Sequence, residues 1–164
     1  MKAFCLIALL PVAAAAQDLV FSPMQTESCL AGALNEAQMR GCVGVSANAC
    51  MAATPGGETT VGMGGCLERE WQYWDARLNA AYQSKMAEAK SIDAEMSSLG
   101  ATVPSQAEAL RAMQRAWIPY RDGKCEYEYS QWGGGTGGGP AITACLMTET
   151  GEQALYLENA GLGG

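Results

Sequence analysis

The sequence predicts an all-α domain, a small helical bundle with a long antiparallel helix pair, stapled by disulfides. Three observations carry that expectation. Apolar residues recur at steps of three and four over two long stretches, nothing alternates with period two over a useful length, and an even set of cysteines remains once a leader is set aside. Size and composition agree. With 164 residues, 49% apolar and 16% charged, the chain can bury one compact core and is too apolar for wholesale disorder.

The leader comes first. Met1-Lys2 gives a short positive start, residues 3–10 form a continuous apolar run, and Pro11 breaks it ahead of Val12-Ala13-Ala14-Ala15-Ala16. Ala14-Ala15-Ala16 fits the A-x-A cleavage pattern, so residues 1–16 read as a signal peptide and Gln17 as the mature start. The run is far shorter than the ~20 residues of a membrane span. Cys5 has no lipobox-like run ahead of it, so no membrane anchor is expected after cleavage. The mature chain is expected in the periplasm or secreted.

Export sets the cysteine chemistry. Cys29, Cys42, Cys50, Cys66, Cys125 and Cys145 remain, and six thiols in an oxidising compartment read as three disulfides whose pairing the count leaves open. A bridge from Cys125 to Cys145 would close a loop of about 20 residues and contribute ~3 kcal/mol in the chain-entropy description. The chain has no C-x-x-C and no His. Zinc sites, His-dependent triads and a base-activated thiol therefore lack their parts, and no metal or cofactor is expected.

Ser22-Pro23 opens the first helical stretch as a cap followed by proline. Leu30, Ala33, Leu34 and Ala37 then keep helical spacing, Glu36 and Arg40 form an i,i+4 pair, and Gly41 can end the helix. A short second helix fits residues 43–53, and Thr54-Pro55-Gly56-Gly57 reads as a turn. Met63, Leu67, Trp71, Trp74, Leu78, Tyr82 and Met86 form one stripe of a long helix reaching about Ser98, with Gly62, Gly64 and Gly65 weakening its first turn. Residues 99–104 connect it to a helix opened by the capping box Ser105-x-x-Glu108, with Leu110, Met113, Trp117 and Tyr120 on one face. Pro119 removes a backbone donor inside that pattern and is expected to kink or break it near Trp117. Residues 131–139 are a glycine tract, and Pro140 suits the start of a last helix carrying Ile142, Cys145, Leu146 and residues 154–157. The short connection between the two main helices makes them antiparallel, with Trp71, Trp74 and Trp117 in the core.

Chemistry is sparse. Glu68, Glu70 and Asp75 sit among aromatics on the long helix, but a glycosidase needs two carboxylates facing one cleft, and residues two apart splay to different faces. They read as a solvated helix face. The tract Gly133-Gly134-Gly135-Thr136-Gly137-Gly138-Gly139 lacks the Gly-Lys-Ser/Thr ending and the preceding strand of a phosphate loop, and reads as a flexible loop between flanking cysteines. Trp132 beside it, with Glu126 and Glu128, forms a candidate partner-contact element, since aromatics dominate binding hot spots. Arg77, Asn79, Arg121 and Asp122 interleave with core aromatics and form either a register-fixing network or a small-ligand site. Without a nucleophile–base pair, metal ligands or a cofactor fingerprint, the chain is not expected to be an enzyme. The net charge of −7, or 9 − 17 = −8 once Lys2 is lost, disfavours nucleic acid and favours a basic partner.

Three ordered motifs add a resemblance. Trp74-Asp75-Ala76-Arg77-Leu78-Asn79-Ala80-Ala81-Tyr82 resembles the D-x-x-L-N-x-x-Y core of the LprI-type lysozyme-inhibitor domain. The stretch Gln114-Arg115-Ala116-Trp117-Ile118-Pro119-Tyr120-Arg121-Asp122-Gly123-Lys124-Cys125 is similar to that family's Q-x-x-W-x-x-(Y/F)-R-D-x-x-C. Cys145-Leu146 with Thr150 and Leu155 resembles its C-L-x-x-x-T tail, although Gln153 stands where that tail usually carries a basic residue. The resemblance spans about residues 50–157. It implies an exported, disulfide-bonded helical domain, placed here at 50–164, and the helical stretches before it make residues 17–49 an N-terminal extension. It also implies the pairings Cys125–Cys145 and Cys50–Cys66, which leaves Cys29 to Cys42, and a lysozyme-type protein as partner, basic if the charge of this chain is to attract it.

Overall fold

The computed structural model describes residues 18–160; the expected signal peptide and Gln17 lie outside the described residues. Six helices and no strands are present among them: α1 (Met24–Gly32), α2 (Glu36–Arg40), α3 (Val45–Ala53), α4 (Thr60–Ser98), α5 (Gln106–Ser130) and α6 (Gly138–Asn159). None is long and apolar enough to cross a membrane.

The first helical stretch is two helices rather than one. Its apolar spacing runs on through Leu34, but the chain breaks at Ala33, where ψ swings to 131°, and restarts under Asn35, whose side chain accepts from the Gln38 amide at 3.0 Å. Leu34 is left 87% exposed, so its place in the spacing carries no packing. Asn35 is the stronger signal, because an asparagine oxygen satisfies an amide that a continuous helix would not leave free.

α4 begins three residues before Met63, under a Thr59 cap that accepts from the Gly62 amide at 3.1 Å. Gly62 is required here, since a Cβ would overlap the backbone of the Gly56-Gly57 turn. The stripe faces inward: Leu67, Trp74, Leu78 and Met86 are buried, and Trp71 and Tyr82 are half-buried. Gly100, at φ +70°, closes the C-terminus in a left-handed turn with Ala101 N–H donating back to the Met96 carbonyl.

The connector returns the chain as α5, antiparallel to α4. Ser105 Oγ accepts from the Glu108 amide, as the capping box requires, and Asp93 of α4 reaches across to hold the same terminus. α5 is continuous through Pro119. Pro119 and Arg115 are both exposed, so the carbonyl that loses its partner faces water, which limits the cost of the missing donor.

α6 runs parallel to α4 and antiparallel to α5, and shares its middle with both. Thr150 Oγ1 accepts from Trp71 of α4 at 3.2 Å and from Arg121 of α5 at 3.5 Å. Gly151 lets α6 approach, because a Cβ there would lie 3.2 Å from the Trp74 ring and 2.9 Å from Val43. The main core gathers Ala47, Leu67, Trp74, Leu78, Ala154, Leu155 and Leu157, with Trp71 and Trp117 packed against it. Burial of this kind stabilises at roughly 25 cal/mol per Å² of apolar surface. A smaller cluster of Met86, Ala89 and Ala107 closes the connector end of the hairpin.

Three disulfides fasten these pieces: Cys29–Cys42 joins α1 to the turn between α2 and α3, Cys50–Cys66 ties α3 to α4, and Cys125–Cys145 ties α5 to α6. Their Cα separations are 5.6, 5.7 and 5.4 Å, within the normal span of a bridge. The last two are the pairings that the family resemblance implies, and the first joins the two cysteines they leave over.

Candidate functional site

The Cys125–Cys145 bridge closes the chain around the α5–α6 loop, at the end of the bundle opposite the connector. The glycine tract is folded into successive turns: Trp132 donates to the Tyr129 carbonyl, Gly135 to Trp132 and Gly138 to Gly135. Gly133 and Gly134 have φ of +55° and +85°, a left-handed pair that side chains rarely adopt. Trp132 is 51% exposed, yet its ring lies directly over Gly137, where any Cβ would overlap it, and Tyr129 covers Gly138 in the same way. The tract is therefore compact, and its glycines are the floor on which two aromatic rings rest. Tyr127 and Glu126 are exposed beside them and Glu128 is half-buried.

Below the loop, the α5–α6 seam is polar. Lys124 Nζ donates to Glu149 at 2.6 Å, which raises the lysine above its ordinary value despite partial desolvation. Arg121 donates to Asp122 through Nε and Nη2 at 2.9 and 2.7 Å, and its guanidinium stacks 5.0 Å from the Trp117 ring. Gln153 donates to Gln114 one turn further on.

Arg77 lies elsewhere. It makes a two-pronged contact with Glu158 at the end of α6, donates to the Tyr73 hydroxyl at 2.9 Å, and covers Trp74 at 5.4 Å. The hydrogen bond to Glu158 raises the arginine against the opposing effect of burial. Its partner Glu158 and Arg121's partner Thr150 are separated by eight positions of α6, about 12 Å along the axis. Asn79 donates to Asp75 on the exposed face of α4. The structure thus divides Arg77, Asn79, Arg121 and Asp122 among three places, each with partners inside the chain.

Glu68 and Asp75 face solvent, but Glu70 does not. It is fully buried, with Oε1 accepting from the Thr26 hydroxyl at 2.8 Å, the Gly44 amide at 2.8 Å and the Trp74 indole at 3.1 Å, and Oε2 accepting from the Ala47 amide at 2.6 Å. The solvated-face reading therefore fails for Glu70. It sits three residues after Leu67 and four before Trp74, on the inward stripe, and the N-terminal helices supply the donors that make its burial tolerable.

The chain matches the family model described as "Lysozyme inhibitor LprI" over residues 50–157. It belongs to the LprI family. The match takes in α4, α5, nearly all of α6, and two of the disulfides. This LprI-family chain is 32% identical over 93 residues to an uncharacterised protein of Rhizobium meliloti (strain 1021), covering 57% of this chain and 67% of that one. It is 30% identical over 140 residues to an uncharacterised 17.7 kDa protein of the puhA 5′ region of Rhodobacter capsulatus, covering 85% and 86% respectively. No solved structure matches it. No group of three or more metal-capable side chains occurs among the described residues.

Proposed function

We propose that this LprI-family protein is an exported binding protein of the cell envelope, periplasmic or secreted, that inhibits lysozyme-type muramidases rather than catalysing a reaction. The family match over residues 50–157 is the observation that carries this reading. Three disulfides support an oxidising compartment. The net charge of −7 supports a basic partner, because long-range attraction speeds the encounter of oppositely charged proteins. Trp132, Glu126 and Glu128 are the surface offered for contact. Glu126 and Glu128 stand on the last turns of α5 and Trp132 on the loop after it, inside the Cys125–Cys145 bridge and with its ring packed on Gly137, so little freedom is lost on binding. Lysis of a peptidoglycan suspension by a basic lysozyme, with and without the purified oxidised protein, tests the proposal. Saturable slowing is expected; unchanged lysis at micromolar excess removes it for that enzyme.

A second reading, a structural or small-ligand envelope module, draws on Arg77, Asn79, Arg121 and Asp122. Each already has a partner within the chain, which supports a fold-fixing role over ligand capture. Arg121→Ala separates the two versions: a marked fall in melting temperature favours the network, and unchanged stability leaves the ligand.

A further inference from the structure

A retaining muramidase works through two carboxylates about 5–5.5 Å apart in its saccharide cleft. An acidic protein is drawn towards a basic enzyme as a whole, but a carboxylate pushed into that cleft meets like charge at close range and is repelled. The group that attracts cannot then be the group that blocks.

The loop end of the bundle keeps these two tasks apart. Glu126 and Glu128 are the last charges of α5, and from Tyr129 to Thr148 the chain carries no charged side chain at all. No Lys or Arg follows Lys124, and the two cations nearest the loop, Lys124 and Arg121, are engaged by Glu149 and Asp122. The tip therefore presents no free charge of either sign. What it does present is a half-exposed indole and backbone. Residues 133–136 are exposed, and the amides of Gly134 and Thr136 donate to no backbone acceptor among the described residues. Backbone amides on an exposed glycine-rich turn can bind a carboxylate without carrying a charge into the cleft. The Trp132 ring, held over Gly137, has the flat apolar face that a sugar ring stacks against or is replaced by.

We propose that the 132–137 tip is an uncharged plug for the saccharide cleft of a muramidase, with the amides of Gly134 and Thr136 towards the catalytic carboxylates, while Glu126 and Glu128 stay outside against the enzyme's basic rim. This rests on the muramidase reading given above.

The test uses the oxidised full chain and a strongly basic retaining lysozyme. Thr136→Glu places one carboxylate on an exposed tip residue; it should weaken inhibition roughly tenfold or more while leaving the melting temperature unchanged. Glu126→Gln combined with Glu128→Gln should slow association and flatten its salt dependence, with dissociation changed by less than about twofold. A chito-oligosaccharide that fills the cleft should compete with the wild-type protein. Full inhibition by Thr136→Glu, or undiminished binding to the saccharide-filled enzyme, overturns the plug and leaves inhibition by another surface. A wild-type protein that does not inhibit this lysozyme overturns both the plug and the broader reading for that enzyme.

Discussion

Glu70 Oε1 accepts the Trp74 indole N–H at 3.1 Å within one turn of α4, and neither side chain reaches solvent. Thr26, Gly44 and Ala47 complete a ring of four donors drawn from α1, the α3 start and α4, with no cation among them. A buried carboxylate is tolerable on those terms because every lone pair in use is matched by a fixed donor. The N-terminal helices are thereby fastened to α4 by hydrogen bonds as well as by Cys50–Cys66.

Removing that carboxylate is predicted to be costly. Glu70→Ala leaves four donors buried without an acceptor, and should destabilise by about 3–5 kcal/mol in urea unfolding. Glu70→Gln keeps the triply used oxygen and turns an NH₂ against the Ala47 amide, so it should cost clearly less. Equal and small effects from both variants would contradict the network.

Asp93 gives an acid-side prediction. It accepts from Ser105 Oγ at 2.6 Å and from the Gln106 and Ala107 amides at 2.8 and 3.1 Å, which together hold its pKa below the usual 3.8. A carboxylate depressed in the folded state contributes stability above its unfolded pKa and loses it as pH falls through the folded one. Asp93→Asn should therefore lower the melting temperature near neutral pH, and the gap from wild type should close at a pH well below 3.8.

Lys124 works on the alkaline side. Its hydrogen bond to Glu149 raises it above 10.5, so the pair's contribution is complete below that value and fades as pH climbs through the higher folded pKa. With the lysine side chain 41% exposed the effect is screened and small. Lys124→Met should melt slightly lower than wild type near neutrality, and the difference should shrink in strong alkali.

Gly137 should prove intolerant for a local reason. A methyl group there overlaps the Trp132 ring, so Gly137→Ala must displace the indole. Its fluorescence should shift while the three disulfides and the helix content stay intact. An unshifted spectrum would mean that the ring does not rest on that glycine.

The bundle was legible in the sequence because its longest helix carries a seven-member stripe from Met63 to Met86, all of it at least half-buried in the structure. Glu70 was legible too, in principle. Its position between Leu67 and Trp74 places it on the inward face, but three of its four donors come from residues 23 to 44 positions earlier, and no local pattern announces those three. The break at Ala33 was masked because alanine and leucine keep helical spacing on either side of it, whereas Asn35 carried the cap. Arg77 and Arg121 looked like members of one cluster because both flank core aromatics. Their separation depends on where α6 lies, and the spacing within α4 and α5 holds no information about a third helix.

The most direct measurement is titration calorimetry of the oxidised protein against a basic muramidase at moderate salt. Saturation at about one to one is expected, with binding that weakens as salt rises. Absence of any interaction at micromolar concentrations of both proteins would contradict it.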